Sequence, residues 1–251
     1  GGDSDEYLYG GAGNVRLYVW GGNDTLIGGE GDDIIEDIEG DNIIDGGEGS
    51  DTIIVENGNN IIQGGDGRDR ITAWGGDNTI YGGEGDDDIS VSDGRNLIDG
   101  GAGNDILSGY GDTTYVFGRG YGYDQVNSGM GFIWDGTQNP ETYTSTIRLT
   151  GLTLDDIDVY IGQAGYDVAQ DYFDNGVYDV FLVIKDTGES VFIENAIDRR
   201  NLGYLWNVIN SVEFADGVTM TWVALLAAKP NLPALFGQTR DAYIIQALPA
   251  P

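Results

Sequence analysis

The chain has 251 residues, a formal net charge of −32, and neither cysteine nor histidine. Such a charge argues against nucleic acid and anionic membranes as partners, since both are polyanions, and the missing residues exclude a disulfide framework, Ser-His-Asp and Cys-His catalysis, and histidine-ligated zinc or haem. No stretch is long and apolar enough for a membrane helix, and the length fits two modules.

Residues 1–27 hold degraded copies of a nine-residue repeat. The chain opens on GGDSDEYLY, with Ser4 and Glu6 where later copies carry Gly and Asp. No amino-terminal signal peptide is visible, and opening on a repeat is expected of a segment cut from a longer array. In the second copy, GGAGNVRLY, Val15 replaces that Asp, so cation binding there is expected to be weak or absent.

From Gly28 to Leu107 the repeat is clear. Leu, Ile or Val recurs every ninth residue: Leu8, Leu17, Leu26, Ile35, Ile44, Ile53, Ile62, Ile71, Ile80, Ile89, Ile98, Leu107 and Val116. The fullest copies are GGEGDDIIE, GGEGSDTII, GGDGRDRIT, GGEGDDDIS and GGAGNDILS, beginning at residues 28, 46, 64, 82 and 100. One apolar residue in nine cannot cover a helix face. It suits a short strand of three residues with one side chain inward, and glycine at positions 1, 2 and 4 turns the chain around. Two nonapeptides then make one coil, and successive coils stack at about 4.8 Å. The predicted fold class is all-β: a parallel β-roll (a β-solenoid of 18-residue coils), followed by a β-rich C-terminal cap with a short terminal helix.

The full copies share one side of the roll because they start 18 residues apart. The intervening copies, on the other side, carry Asp24 and then Asn42, Asn60, Asn78 and Asn96 at position 6. An amide both donates and accepts, so these asparagines are predicted to form a metal-free hydrogen-bonded ladder, with Asp24 beside Glu6 or Asn42 as the exception. Trp20 and Trp74 sit at position 2 on this side, and are read as packing against a neighbouring turn or as a sugar-stacking pair three coils apart.

On the first side, Asp33, Asp51, Asp69, Asp87 and Asp105 fall above one another. Carboxylates about 5 Å apart repel by roughly 3 kcal/mol at an effective dielectric near 20. A hard divalent cation between coils reverses that sign. Calcium suits the site because it accepts six to eight carboxylate and carbonyl oxygens in flexible geometry, whereas magnesium holds its waters.

The pattern G-G-x-G-x-D-x-U-x resembles the calcium-binding nonapeptide of the RTX (haemolysin-type) family. In that family, carbonyls of positions 2 and 4 and the Asp at 6 face carbonyls of positions 1 and 3 and the next Asp. By that resemblance a first site uses Gly29, Gly31, Asp33, Gly46, Glu48 and Asp51, and a second uses Gly47, Gly49, Asp51, Gly64, Asp66 and Asp69. A third uses Gly65, Gly67, Asp69, Gly82, Glu84 and Asp87, and a fourth Gly83, Gly85, Asp87, Gly100, Ala102 and Asp105. A fifth pairs Gly101, Gly103 and Asp105 with the loop near Gly118, Gly120 and Asp124. Glu48, Asp66 and Glu84 are expected to ligate through carbonyls, with side chains in water.

The register frays over Gly109–Val126, where Tyr115, Val116, Phe117, Tyr121 and Tyr123 are suited to covering the open end of the roll. The segment resembles the one that ends RTX arrays. Beyond Gly129, runs such as STIRLTGL, IDVYI, VYDVFLVIK, ESVFIEN, NVINSVEF and VTMTW alternate apolar and polar residues, with turns at Thr187-Gly188 and Asp216-Gly217. They predict an antiparallel or mixed β cap, with a short helix in Ala196–Trp206 and a terminal helix in Trp222–Lys229. The expected division is 1–117 roll, 118–230 cap and 231–251 tail, the tail being either the end of a type I export signal or a disordered terminus.

The resemblance implies a calcium-binding module that folds on about four to five extracellular calcium ions. It further implies secretion from a Gram-negative bacterium through the type I machinery, as a monomeric part of a larger toxin or adhesin. The alternative is an RTX adhesin or carbohydrate-binding module with a surface or glycan partner. An ice-binding face fits less well, because the outward residues Thr25, Ile34, Ile43, Thr52, Ile61, Arg70 and Thr79 are irregular. No enzyme is expected: calcium accounts for the repeated carboxylates, and no separate pair of the kind glycosidases use stands out in the cap.

Overall fold

The computed structural model describes residues 2–128, 145–163, 177–198, 209–228 and 234–235. The repeats wind into a parallel β-solenoid in which each coil gives one strand to each of two sheets. One sheet takes the strands Tyr7–Ala12, Thr25–Glu30, Ile43–Glu48, Ile61–Asp66, Thr79–Glu84 and Arg95–Ala102. The other takes Arg16–Val19, Ile34–Asp37, Thr52–Val55, Arg70–Ala73, Asp88–Val91 and Ile106–Gly109. Most strands of the first sheet exceed the expected three residues because the Gly-Gly-x opening of the next repeat also joins the ladder, as in Gly11↔Gly29↔Gly47↔Gly65.

Register follows the nine-residue beat. Leu26, Ile44, Ile62, Ile80 and Ile98 pair in line on one sheet, and Ile35, Ile53, Ile71, Ile89 and Leu107 on the other. All ten are at most 1% exposed. Side chains alternate across a strand, so the flanking positions face outward: Ile62 is buried while Ile61 is 51% exposed. The core therefore has two main columns, and Val19, Val55, Ala73 and Val91 on the second sheet add to it.

The expected beat at Val116 is corrected. Ile98 pairs with Tyr115, and Asp99 with Val116, so this coil is one residue short. The shortening falls at the turn Gly109–Gly111. Tyr115 takes the inward place at 0% exposure, and Val116, at 6%, is covered from the other face of the sheet. The next coil is one residue long, with Leu107 pairing Val126.

Both sheets continue into the predicted cap. Asp112–Phe117 pairs in parallel with Ser145–Leu149, which pairs in parallel with Ile209–Phe214; Thr219–Thr221 then adds antiparallel. On the other sheet Tyr123–Ser128 pairs in parallel with Ser190–Asp198, followed by the antiparallel strands Val177–Ile184 and Ile157–Gln163. The cap is thus mixed: its first strands copy the direction of the coil they cover, and hairpins finish each sheet. Gly188 (φ 80°) and Gly217 (φ 81°) occupy the two expected turns. Ile147, Leu149, Val180, Leu182, Ile193, Val212 and Leu225 extend the same core.

Trp222–Ala228 is helical. Of the helix expected in Ala196–Trp206, Ala196–Asp198 instead belong to a strand, because they prolong the pairing with Val177–Ile184; the remainder lies outside the described residues. Of the expected tail, Ala234–Leu235 pairs with Ile161 and Gly162, and 236–251 lie outside the described residues.

The two faces of one strand should respond differently to substitution. Ile62→Ala is expected to lower the stability of the calcium-loaded chain by about 2–5 kcal/mol. Ile61→Thr, one residue away, is expected to change it by no more than about 0.5 kcal/mol. Urea unfolding in calcium checks both, and equal effects would contradict the register.

Candidate calcium ladder

Asp33, Asp51, Asp69, Asp87 and Asp105 are 1–2% exposed and Asp124 is 4% exposed. They form one column. Each carboxylate reaches back one coil and accepts a backbone N–H through Oδ1: Val15 to Asp33 (2.8 Å), Asp33 to Asp51 (2.7 Å), Asp51 to Asp69 (2.8 Å), Asp69 to Asp87 (2.8 Å), Asp87 to Asp105 (2.9 Å) and Asp105 to Asp124 (2.9 Å). The second oxygen is different. Oδ2 of Asp33, Asp51, Asp69, Asp87 and Asp105 is buried and has no hydrogen-bond partner.

Glycine at position 1 keeps the space beside that oxygen open. A Cβ on Gly28 would collide with Asp33 Oδ2 and with the carbonyl of Gly46 in the next coil. The same pair meets at Gly46 (Asp51 and Gly64), Gly64 (Asp69 and Gly82) and Gly82 (Asp87 and Gly100). The unpartnered carboxylate oxygen and a carbonyl oxygen thus converge on one point in four successive turns. In the second copy, Val15 Cγ2 lies at the equivalent point beside Gly10, so a methyl fills the space.

The remaining expected ligands fall around this column. A Cβ on Gly47 (φ 109°) would strike the carbonyl of Gly29, and one on Gly49 the carbonyl of Gly31. Gly65 and Gly67 meet the carbonyls of Gly47 and Gly49, and Gly83 and Gly85 those of Gly65 and Gly67. The close approach of coils, as well as the turn, therefore requires glycine here. The carbonyls of Glu48, Asp66, Glu84 and Ala102 each accept one N–H, from Gly31, Gly49, Gly67 and Gly85 at 2.7–2.8 Å, which leaves a second lone pair. All four side chains are exposed.

The fifth place differs from expectation. Gly103 bridges to Gly122 and donates to the Tyr121 carbonyl at 3.1 Å, so the coil's longer spacing puts Arg119 and Tyr121, not Gly118 and Gly120, in the register of positions 1 and 3. Here no carbonyl of the next coil is among the atoms nearest a Gly100 Cβ, as one is in the four earlier turns. Arg119 is held outward by Asp156 and Asp186, and Gly120 donates to Glu189.

The opposite face is built from amides. Asn42, Asn60, Asn78 and Asn96 accept the position-6 N–H of the preceding coil at 2.7–2.9 Å. Their Nδ2 groups donate to turn carbonyls, including Gly40 (3.0 Å), Gly58 (3.2 Å) and Gly76 (3.2 Å). Asn60 and Asn78 also donate to the next amide, at 3.0 and 3.2 Å. The main rungs therefore run from backbone to side chain, and the amide hydrogens take carbonyls that would otherwise lack a donor. Trp20 and Trp74 remain 55% and 58% exposed, with Trp20 edge-on to Tyr18 at 5.6 Å.

A further ladder was not anticipated. At position 5, side chains reach forward one coil: Asp32 accepts from Ser50 (2.9 Å), Asp41 from Asn59 (2.7 Å), Asn59 from Asp77 (2.8 Å), Asp77 from Arg95 (2.8 Å) and Asp86 from Asn104 (2.8 Å). The signal was present in the recurring Asp or Asn beside the ligand position. The position-5 ladder is exposed and runs opposite to the buried one.

Burial dominates the electrostatics of the Asp column. It pushes the carboxyl of Asp51 up, those of Asp69 and Asp105 to about 6, Asp87 to about 7 and Asp124 to about 8. The N–H received from the preceding coil opposes the shift, and acidic neighbours add to it. Among the described residues no three acidic side chains form one cluster. A cation here needs carbonyls for most of its shell, and calcium accepts that oxygen set.

An all-β roll carrying an internal column of aspartates and open glycine slots is the architecture of a structural calcium-binding repeat. The model of the RTX calcium-binding nonapeptide repeat matches four times, at residues 1–35, 39–62, 54–89 and 81–116. Residues 1–116 are an RTX repeat array, and the array binds calcium. A search of curated proteins finds no match.

The raised carboxyls set the sign of the pH dependence without metal. A folded-state pKa above the unfolded value near 3.9 stabilises the fold below that value, and the contribution is lost as pH rises. In chelator, β content should therefore be greatest in mild acid and fall between pH 4 and about 8, the upper limit set by Asp124. Circular dichroism across that range checks this, and a metal-free β signal that rises with pH would contradict it.

Proposed function

We propose that this chain is a calcium-dependent folding and stability module of a larger secreted protein. The observation that carries the reading is the run of five buried, unpartnered Oδ2 atoms on Asp33–Asp105. An uncompensated buried charge is strongly destabilising, by several kcal/mol per ion. Calcium supplies the positive charge and accepts the oxygens offered. The carboxylates of the column and the carbonyls named above for the first four slots would hold it, with Asp124 supplying the carboxylate of a fifth.

Sites absent from the unfolded chain contribute their binding energy to folding. Where calcium is scarce, the acidic repeats repel and the chain stays extended, suited to export by the type I machinery. Extracellular modules bind at about 10⁻⁴–10⁻³ M, so folding follows release from a Gram-negative cell. In this reading 1–117 is the switch, 118–230 the cap that nucleates the first coil, and 231–251 an export tail. The module has no catalytic role.

Far-ultraviolet circular dichroism during calcium titration from chelator, with magnesium in parallel, tests the reading. A cooperative coil-to-β transition with calcium alone is expected, and a chain already folded in chelator at neutral pH would refute it. Asp69→Asn should raise the transition midpoint in calcium, because one carboxylate serves two adjacent slots. Deleting residues 118–251 should abolish the transition; its survival would refute nucleation by the cap.

A further inference from the structure

Trp20 and Trp74 are 55% and 58% exposed, so neither is packed under a neighbouring turn. Both stand at position 2 of the Asn face, where the stacked coils read Trp20, Ile38, Glu56, Trp74, Ser92 and Tyr110. The backbone ladder runs through this position. Glu56, Trp74, Ser92 and Tyr110 each donate to the position-1 carbonyl of the preceding coil at 2.9–3.1 Å. Tyr110 is 43% exposed. The three rings therefore lie along one row, three coils and then two coils apart, which at the sheet spacing is about 14 Å and about 10 Å. Isolated surface aromatics are ordinary, but an aligned set marks a contact surface.

The side chain next to each ring is missing. Position 3 is Glu39, Asn57 and Asp93 in the coils without an aromatic, and Gly21 and Gly75 in the two with tryptophan. In the Tyr110 coil it is deleted, because Gly111 (φ 125°) already takes position 4 against the carbonyl of Gly94. Backbone conformation does not demand glycine at 21 or 75, since neither has a positive φ. Space does not demand it at Gly21 either, where an added Cβ would make only ordinary contacts, the nearest at 3.8 Å to Glu39 Cβ. The fold thus gives no reason for a bare turn beside Trp20. Tyr18, edge-on at 5.6 Å, steadies that ring.

We infer that this row binds a neutral, extended polysaccharide whose pyranose rings stack on Trp20, Trp74 and Tyr110. The C–H face of a sugar suits the negative face of an aromatic ring. A β-1,4-linked chain advances by close to one strand spacing per sugar, so rings spaced by whole coils meet it in phase. Glu56, between the two tryptophans, offers an acceptor to sugar hydroxyls. The same turns carry Glu39, Asp77 and Asp93, and the cation Arg95 is already paired with Asp77 at 2.9 Å. That acidic surround, on a chain of charge −32, disfavours polyanions and selects a neutral polymer. The site needs the folded roll and goes beyond its role as a folding module.

Affinity electrophoresis of the full chain in calcium, through gels holding hydroxyethylcellulose, galactomannan, arabinoxylan or polygalacturonate, tests the site. Retardation by a neutral polymer and none by polygalacturonate is expected. Trp20→Ala, Trp74→Ala and Tyr110→Ala should each weaken it roughly tenfold, the loss of one stacking contact. Gly21→Asn keeps the ring and fills the turn as Asn57 does, and should weaken it too. Circular dichroism in calcium separates lost binding from lost fold, and the four variants should keep the wild-type spectrum. A folded chain that no neutral polymer retards, as when the rings serve a protein partner, would overturn the site and leave the folding module standing. Unchanged retardation in all three ring variants would overturn it equally. A chain without β signal in calcium would overturn the functional reading as well.

Discussion

Stacking a coil on itself places every residue above its own equivalent, and for a charged residue that is the worst neighbour. The roll accepts this penalty at Asp33, Asp51, Asp69, Asp87 and Asp105, all in the interior. Each carboxylate receives one N–H from the coil before it, which fixes its direction but leaves the charge uncompensated. Glycine at position 1 holds space beside the second oxygen. The hydrophobic columns contribute only one or two side chains per strand to each layer, so this small core cannot outweigh a charged column by a wide margin. Stability and cation binding are consequently coupled.

The two faces answer one geometric problem with different chemistry. From Asp24 to Asp105 each turn has a position-6 side chain that accepts the N–H of the coil before it. On the Asn face the remaining atom is a donor, and it is used on the turn carbonyls. On the Asp face the remaining atom is an acceptor, and it meets turn carbonyls that are acceptors too. Replacing an amide nitrogen by an oxygen thus converts a self-sufficient turn into one that requires a cation. Position 1 follows suit: valine or alanine on the Asn face, with Asp37 the exception, and glycine in every full repeat.

Much of this was legible because the repeat is periodic in the same unit as the fold. The inward Ile and Leu, the glycine turns and the two chemically distinct sides followed from spacing alone. What escaped were features set by departures from the period. A one-residue loss near Tyr110 moved the inward place to Tyr115, and a one-residue gain moved the positions beside Asp105 from Gly118 and Gly120 to Arg119 and Tyr121. Spacing cannot show which turn absorbs such a change. The position-5 ladder escaped for another reason. Spacing alone assigns these side chains no partner, and only stacking reveals that each is matched to an N–H one coil later. The cap is least legible, since its strands meet the roll through pairings that span tens of residues.

The alternation of faces sets the unit by which such an array can change length. A duplication of nine residues leaves the inward column intact but transfers every later aspartate to the amide side, where position 1 is filled, and every later asparagine to the glycine side. A duplication of 18 preserves both chemistries. The hydrophobic beat alone would permit growth by single nonapeptides. The polar turns forbid it, so the heritable module of this roll is the pair.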